Sequence, residues 1–360
     1  MLKLYLSQKS VIKNQKLNAF PLLSEFYNTE NQAFDCAGGD YGKLFVLTEN
    51  IDDADFVVLT HSLNFYHDNN LSDKIPAFVE EARRANKIGW AYSSGDYGFK
   101  FSARNVYYFR TSAYESRLNE FDVIMPDWTK DPYNNDFLNL QFAPCAYKPV
   151  PRIGFCGQSS NKFGELLKTV YQLNVHNLKS RLALHELEAN KQFYSALHRK
   201  RILDKFKKSR LLDCRFIERE QYRAGIGRRA DKFAHRTTRE YYDNIFNNLY
   251  TVAIRGGGNF SRRFFDVCAV GRIPIFVNCD SPIPFKEKLA AKNLLVEIDP
   301  NDCDFDRKIL NYHRSIERDA AHLQSEMRRF WQEHYTKSGF YKQIHDCFAE
   351  KAEPSRAIAV

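Results

Sequence analysis

Residues 250–278 read YTVAIRGGGNFSRRFFDVCAVGRIPIFVN. Two apolar runs enclose a glycine triplet, Gly256, Gly257 and Gly258, and a segment carrying Arg262, Arg263 and Asp266. YTVAI reads as a strand, SRRFFDVCAV as a helix and IPIFVN as a second strand. That succession is the repeating unit of a parallel α/β sheet. A helix N-terminus offers free N–H groups and the positive end of a dipole, and glycine lets a ligand approach the backbone closely. The stretch therefore reads as an anion cradle. Which anion it holds depends on the rest of the chain.

At 360 residues the chain is long for one core and comfortable for two domains. Hydrophobic residues make up 44% and charged residues 27%, a globular composition. No run approaches the ~18 apolar residues of a membrane span. MLKLYLSQKSVIKNQK carries no signal-peptide block. A cytoplasmic protein is the default, with peripheral contact to the inner membrane surface left open. Lys and Arg exceed Asp and Glu by 53 − 44 = 9, which favours anionic partners such as nucleotides, phosphorylated lipids or acidic glycans. No RNA-binding, zinc-finger or homeodomain signature is present, so nucleic acid is not an expected partner. The eight cysteines form no C-x-x-C pair and the ten histidines show no ligand spacing. Reduced, structural cysteines and no metal are expected.

Upstream of the quoted stretch, KLFVL, ADFVVLT, IGWAYSS, NVYYFRTSA and FDVIMPDW read as strands, with DKIPAFVEEARRANK as a helix. Two prolines in APCAYKPVPR suggest a linker. The expected division is 1–148, 149–315 and a C-terminal helical part, 316–360, packing across both domains. In the second half, RIGFCG and LDCRFIER read as strands, and GELLKTVYQL and QFYSALHRKRILDKFKK as helices. TTREYYDNIFNNL reads as a helix with Thr237 and Glu240 spaced as a capping box. Ile316, Ala320, Leu323, Met327, Phe330 and Trp331 form a packing stripe in the tail. The fold class is α/β, with two Rossmann-like domains and ligands at the carboxyl ends of their strands.

Three ligands compete for the glycine loop. Gly256-x-Gly258-x-x-Ser261 approximates a dinucleotide fingerprint, with Asp280 near the place of a ribose-binding acid. Ser261 stands where that motif needs its third glycine, and Arg262 and Arg263 bring more charge than it uses. A P-loop needs a lysine followed by Ser or Thr, which is absent. A nucleotide-diphosphate sugar fits better, because arginine supplies charge-assisted donors to a departing diphosphate. Arg263 and Asp266, three apart, project from one helix face.

The stretch from Tyr242 to Phe285 resembles the C-terminal signature of exostosin-family glycosyltransferases. That family shows a glycine turn, S-x-R-x-x-E, G-x-I-P-V and L-P-F. Here the residues are Gly256–Gly258, Ser261-x-Arg263-x-x-Asp266, Gly271-x-Ile273-Pro274-Ile275 and Ile283-Pro284-Phe285. Aspartate replaces the family's glutamate. WAYSSGDYGFKF and FDVIMPDW are weaker echoes. The resemblance implies a GT-B architecture, two domains facing across a cleft. It implies inverting, metal-independent transfer from a nucleotide sugar, most simply a UDP-sugar, to a glycan or glycolipid acceptor in surface polysaccharide synthesis. The nucleotide sugar is a substrate, and no cofactor is expected.

The donor-binding set expected on this basis is Arg255, Gly256, Gly257, Gly258, Asn259, Ser261, Arg263 and Asp266. Arg223 and Arg228, beyond the strand CRFIE, join it with Arg219. Displacement at an anomeric carbon needs a base for the acceptor hydroxyl. Asp96 in SSGDYG is preferred, with His61 and Glu115 as alternatives at other strand ends. Asp304 and Asp306 match D-x-D formally but begin a helix, where acids oppose the dipole. The basic segment 199–210 suits an anionic lipid or an acidic acceptor glycan, and a solvated helix face is the simpler reading. An NAD-dependent oxidoreductase and a non-catalytic nucleotide- or glycan-binding module are the competing functions.

Overall fold

The computed structural model describes residues 1–12, 19–28, 33–34, 41–225 and 232–356. The chain divides into two compact units, Met1–Met125 with Ala183–Glu188 and Lys337–Val360, and Pro126–Leu182 with Ala189–Thr336.

The first unit is built on a parallel sheet. Its strands are β1 (Leu2–Leu6), β4 (Phe45–Thr48), β5 (Phe56–Val58), β6 (Ile88–Ser93), β7 (Val106–Arg110) and β8 (Asp122–Ile124), in the order β4-β1-β5-β6-β7-β8. Leu4 pairs with Phe56, Phe56 with Ile88, and Gly89 with Val106. A small antiparallel pair, β2 (Tyr27–Asn28) and β3 (Ala33–Phe34), forms a separate two-stranded sheet. Helices α1 (Leu63–Asp68) and α2 (Lys74–Arg84) follow β5. Ser62 caps α1 by accepting from Phe65 N, and α2 buries Phe78 and Ala82. All three residues of β5 are buried, as a strand covered on both faces requires.

The second unit repeats the plan. It runs β9 (Arg152–Gln158), α3 (Phe163–Arg181), α4 (Ser195–Lys208), β10 (Asp213–Arg219), α5 (Lys232–Phe246), β11 (Tyr250–Ala253), α6 (Arg262–Val270) and β12 (Ile273–Val277). Then come α7 (Lys286–Ala291), β13 (Val296–Ile298), α8 (Phe305–Ser315) and α9 (Ala320–Phe330), the last ending in a π-helical turn, Trp331–Tyr335. The sheet is parallel, in the order β10-β9-β11-β12-β13. In both sheets the first strand lies between the second and the third. Connections therefore change direction there, at β1/β5 and β9/β11, opening a crevice at the carboxyl ends of those strands. The expectation of two Rossmann-like α/β halves is met.

The unit boundary departs from the linker reading. Residues 126–148 belong to the second unit, because their polar groups are spent on its helices. Tyr133 donates to Val270 O at 2.8 Å, Arg272 donates to Ala143 O at 2.9 Å, and Cys145 N donates to Gln324 Oε1 at 2.7 Å. The C-terminal part also splits. The stripe from Ile316 to Trp331 is buried in the second unit, whereas α10 (Lys337–Arg356) belongs to the first. There Phe348 lies 5.2 Å from Trp90 and 5.3 Å from Phe56, ring to ring. The capping box is also corrected. Helix α5 starts at Lys232, so Thr237 lies inside it, and its carbonyl accepts from Arg219.

Gly271 fixes the end of α6. Its φ of 75° is left-handed, its N–H reaches Cys268 O at 2.9 Å, and Arg272 N reaches Val267 O at 3.0 Å, a Schellman closure. A Cβ there would stand 2.7 Å from the Phe142 ring and 2.9 Å from Gln324 O. Gly271→Ala is therefore expected to lower stability by about 2–3 kcal/mol, read as a lower urea midpoint with unchanged slope. A midpoint equal to wild type would contradict this account.

Candidate functional site

The site stands at the switch point of the second sheet. Strands β9 and β11 are neighbours, with Tyr250 opposite Ile153 and Thr251 opposite Gly154. At and beyond their carboxyl ends lie Gly157 to Ser159 on one side and Ile254 to Gly258 on the other. Helix α6 starts after the glycine loop, so its first turn opens at this end of the sheet. Gly256 N donates to Phe260 O at 3.0 Å and closes the loop. None of the three glycines is left-handed, since among the described residues the glycines of positive φ are Gly95, Gly225 and Gly271. A Cβ on Gly256 would meet the Arg199 guanidinium only at ordinary contact, 3.5 Å. Neither backbone conformation nor packing thus demands this glycine.

Three guanidiniums gather here. Arg263 is buried, with its guanidinium 4.1 Å from the centre of the Phe155 ring. Its Nη2 donates to Cys156 O at 2.9 Å, and its buried Nε has no hydrogen-bond partner among the described residues. Gly157 makes room for it, because a Cβ there would collide with Nη2. Arg255 is also buried, 4.7 Å over the Phe193 ring, with Nη2 to Gly257 O at 3.3 Å. Arg199 donates from Nε and Nη2 to Arg255 O at 3.2 and 3.0 Å, and from Nη1 to Gln158 O at 3.5 Å. It ties both strand ends together. Sequence reasoning missed that role, since Arg199 begins a basic run that resembles a solvated face. The rest of that run is largely occupied internally: Lys200 and Lys207 pair with Asp204 and Glu218, and Lys205 reaches Pro300 O.

Other expected donor ligands have different work. Asn259 is buried as a brace, donating to Asp280 O at 2.6 Å and accepting from Ser281 Oγ at 2.8 Å. Ser261 occupies the N-cap of α6 without a side-chain capping bond. Asp280 pairs with Lys191. Arg219 pairs with Glu240 at 2.5 Å. Arg228 lies outside the described residues, and so does the side chain of Arg223.

Asp266 requires a correction. It is 4% exposed, and its carboxylate collects hydroxyls: Thr129 Oγ1 at 2.8 Å, Tyr241 OH at 2.7 Å and Tyr242 OH at 3.5 Å. An acid enclosed in this way anchors α6 and is not presented to a ribose. The reason is the helix itself, in which every residue from Arg263 to Val270 is buried, leaving no wet face. An acid amid FFDVCAV was the available signal. Burial pushes the Asp266 carboxyl above its usual value, against the donated hydroxyls and the nearby Arg262 and Arg263.

In the first unit, Asp96 lies where the sequence suggested, exposed in the turn after β6. Gly95 gives that turn its left-handed residue, φ 90°, and Ser112 Oγ donates to Asp96 O at 2.8 Å. Glu115 is likewise exposed beyond β7. His61 is fully buried at the end of β5, stacked 4.7 Å from Phe65, with Nδ1 2.9 Å from Thr60 Oγ1. That enclosure is wrong for a base that must meet an acceptor, and it removes His61 from the candidates. Asp304 precedes α8, and Asp306 accepts from Ser209 at 2.7 Å. Among the described residues no three His, Cys, Asp or Glu side chains form a metal-ligand group. No described helix is long and apolar enough to cross a membrane.

No family model and no curated protein matches the chain. Solved structures with a similar chain course include TarM, at 10% identity and TM-score 0.33 over 72% of this chain and 50% of that one. Another is HepE of Anabaena in complex with UDP, at 11% identity and TM-score 0.39 over 97% and 100%. A third is the spinosyn forosaminyltransferase SpnP, at 11% and 0.31 over 97% and 99%. The chain spans about half the length of TarM. At these TM-scores the functional reading rests on the residues of the site.

The anchoring role of Asp266 has a distinct signature. Asp266→Ala strands buried hydroxyls and should cost about 2–4 kcal/mol in chemical denaturation. A raised folded-state value means that the folded protein holds its proton to higher pH than the unfolded chain. Stability should therefore fall as pH rises from about 4 through the raised value, and Asp266→Asn should flatten that part of the profile. Unchanged stability of Asp266→Ala, with weakened nucleotide binding alone, would restore the ribose role.

Proposed function

We propose that this chain is a glycosyltransferase that moves a sugar from a nucleotide-diphosphate sugar, a UDP-sugar in the first instance, to a glycan or glycolipid acceptor. The observation that carries the reading is the buried Arg263 guanidinium. Its Nε has no hydrogen-bond partner among the described residues, and it lies beside a glycine loop and a helix start at the carboxyl end of the second sheet. A buried cationic donor without a partner costs free energy unless a ligand completes it. A diphosphate does so, and Arg255 and the first-turn amides of α6 add to the same field. The exostosin-like succession from Tyr242 to Phe285 supports the same class, as does the loss of the dinucleotide alternative's ribose acid, Asp280, to Lys191.

In this reading the transfer inverts the anomeric centre. The acceptor oxygen bonds to the anomeric carbon as the bond to the diphosphate oxygen breaks, and the acceptor proton passes to a carboxylate. Asp96 is the proposed base, on the grounds of its exposure and its place at a strand end. Negative charge builds on the leaving diphosphate, where preorganised guanidiniums and the helix dipole act most strongly. Transfer of this kind needs no metal ion to carry that charge. Surface polysaccharide synthesis is the proposed setting.

Nucleotide release should be measured across a panel of UDP- and GDP-sugars, with parallel titration of NAD. Arg263→Ala is expected to reduce transfer at least ~100-fold, the scale of losing one preorganised donor. Its melting temperature must be followed as well, since Arg263 also bonds Cys156 O. Near wild-type transfer by a folded Arg263→Ala protein would refute the site. Tight NAD binding with no response to any sugar nucleotide would refute the function.

A further inference from the structure

We propose that α3 is a membrane-docking helix that seats the second unit on an anionic lipid surface. Its exposed apolar residues Phe163, Leu167, Tyr171 and Leu178, with Leu182 just past its end, recur at helical spacing and share one side, while Leu166, Val170, Leu173 and Val175 are half-buried. That side faces outward. The five residues are 71%, 53%, 71%, 57% and 60% exposed, and no other element of the described residues displays such a row. A surface helix of a globular protein ordinarily turns this stripe inward, and a row of this length marks a place of contact.

Charge decides the occupant. Lys168 and Lys179 fall on one flank of the stripe and Arg181 near its end. All three are exposed, and none has an ion pair among the described residues. Glu165 is the helix's one acid. A narrow apolar row on one helix, bordered by cations and carrying aromatic residues, is the pattern of a helix lying in the plane of a bilayer interface. A polybasic flank draws such a helix to anionic headgroups. In the basic run of α4, which seemed suited to lipid from its composition, Lys200 and Lys207 are held by Asp204 and Glu218, Lys205 by Pro300 O, and Arg199 by the strand-end carbonyls.

The helix is continuous with the candidate site. Strand β9, whose Cys156 and Gln158 carbonyls hold Arg263 and Arg199, passes through Ser159 to Lys162 directly into Phe163. Resting on the proposed sugar transfer, lipid contact at α3 selects a membrane-borne acceptor.

The test is flotation of the full chain with vesicles of phosphatidylcholine alone and of an equal mixture with phosphatidylglycerol. Wild type is expected to float with the mixture and not with phosphatidylcholine. Leu167→Glu with Tyr171→Glu should lower the bound fraction at least ~10-fold. Lys168→Glu or Lys179→Glu should each weaken it about 5-fold. Since these positions are exposed, the variants should keep the wild-type melting temperature. Absence of flotation by wild type would overturn the proposal. So would flotation that survives the α3 substitutions, or a dimer in light scattering that the same substitutions dissolve without any lipid binding. Titration of a UDP-sugar into the same proteins reads the donor site independently: retained donor affinity with lost flotation supports both proposals, and flotation without donor affinity leaves only the lipid contact standing.

Discussion

A helix buried on every side past its first residue can carry polar groups there only if the protein completes them, and α6 imposes that constraint on the second unit. Asp266 draws in Thr129, Tyr241 and Tyr242, from a connecting segment and from α5. Arg263, one turn earlier, stacks on Phe155 and bonds the β9 backbone. Arg272, just after the helix, donates to Phe246 O and Ala143 O. The partners come from three places, so satisfying α6 also sets β9, α5 and residues 126–148 around it. One buried Nε is left over, at the helix start. The surroundings that complete the rest of the helix thus hold this group in place at the strand ends.

The two sheets share an order of strands and differ in what stands at the ends. Beyond β9 and β11 the side chains are guanidiniums. Beyond β5, β6 and β7 they are hydroxyls and acids: Thr60, buried between His61 and Tyr66, and the exposed Asp96 and Glu115. Strand order alone therefore says little about chemistry. It fixes where a crevice opens, and a handful of loop residues decide what the crevice attracts.

Much of this was legible in the sequence. Continuous apolar runs marked β5, β6, β11 and β12, because strands covered on both faces need no polar alternation. The glycine loop, α6 and the tail stripe were visible for the same reason, that each pattern is local. Long-range pairings were not. Thr129 and Asp266 meet across 137 residues, and no periodicity announces such a contact. Strand β1 was missed because LKLYL is short and ambiguous between strand and helix. Arg199 was hidden by its basic neighbours. Asp266 was misplaced because spacing put it on one face with Arg263, while the burial of the whole helix removed the difference between faces.

The return of α10 to the first unit has a temporal meaning. The chain leaves that unit after Met125, revisits it at Ala183–Glu188, and comes back for good at Lys337. At about 5–20 residues per second of synthesis, the last return comes roughly 10 to 40 s after β8 is made. Until then Phe56 and Trp90 lack the aromatic cover of Phe348. The first unit to be started is thus the last to be finished, and a chain stopped short of α10 would carry an uncovered sheet into the cell, the sort of surface that chaperones hold and proteases find.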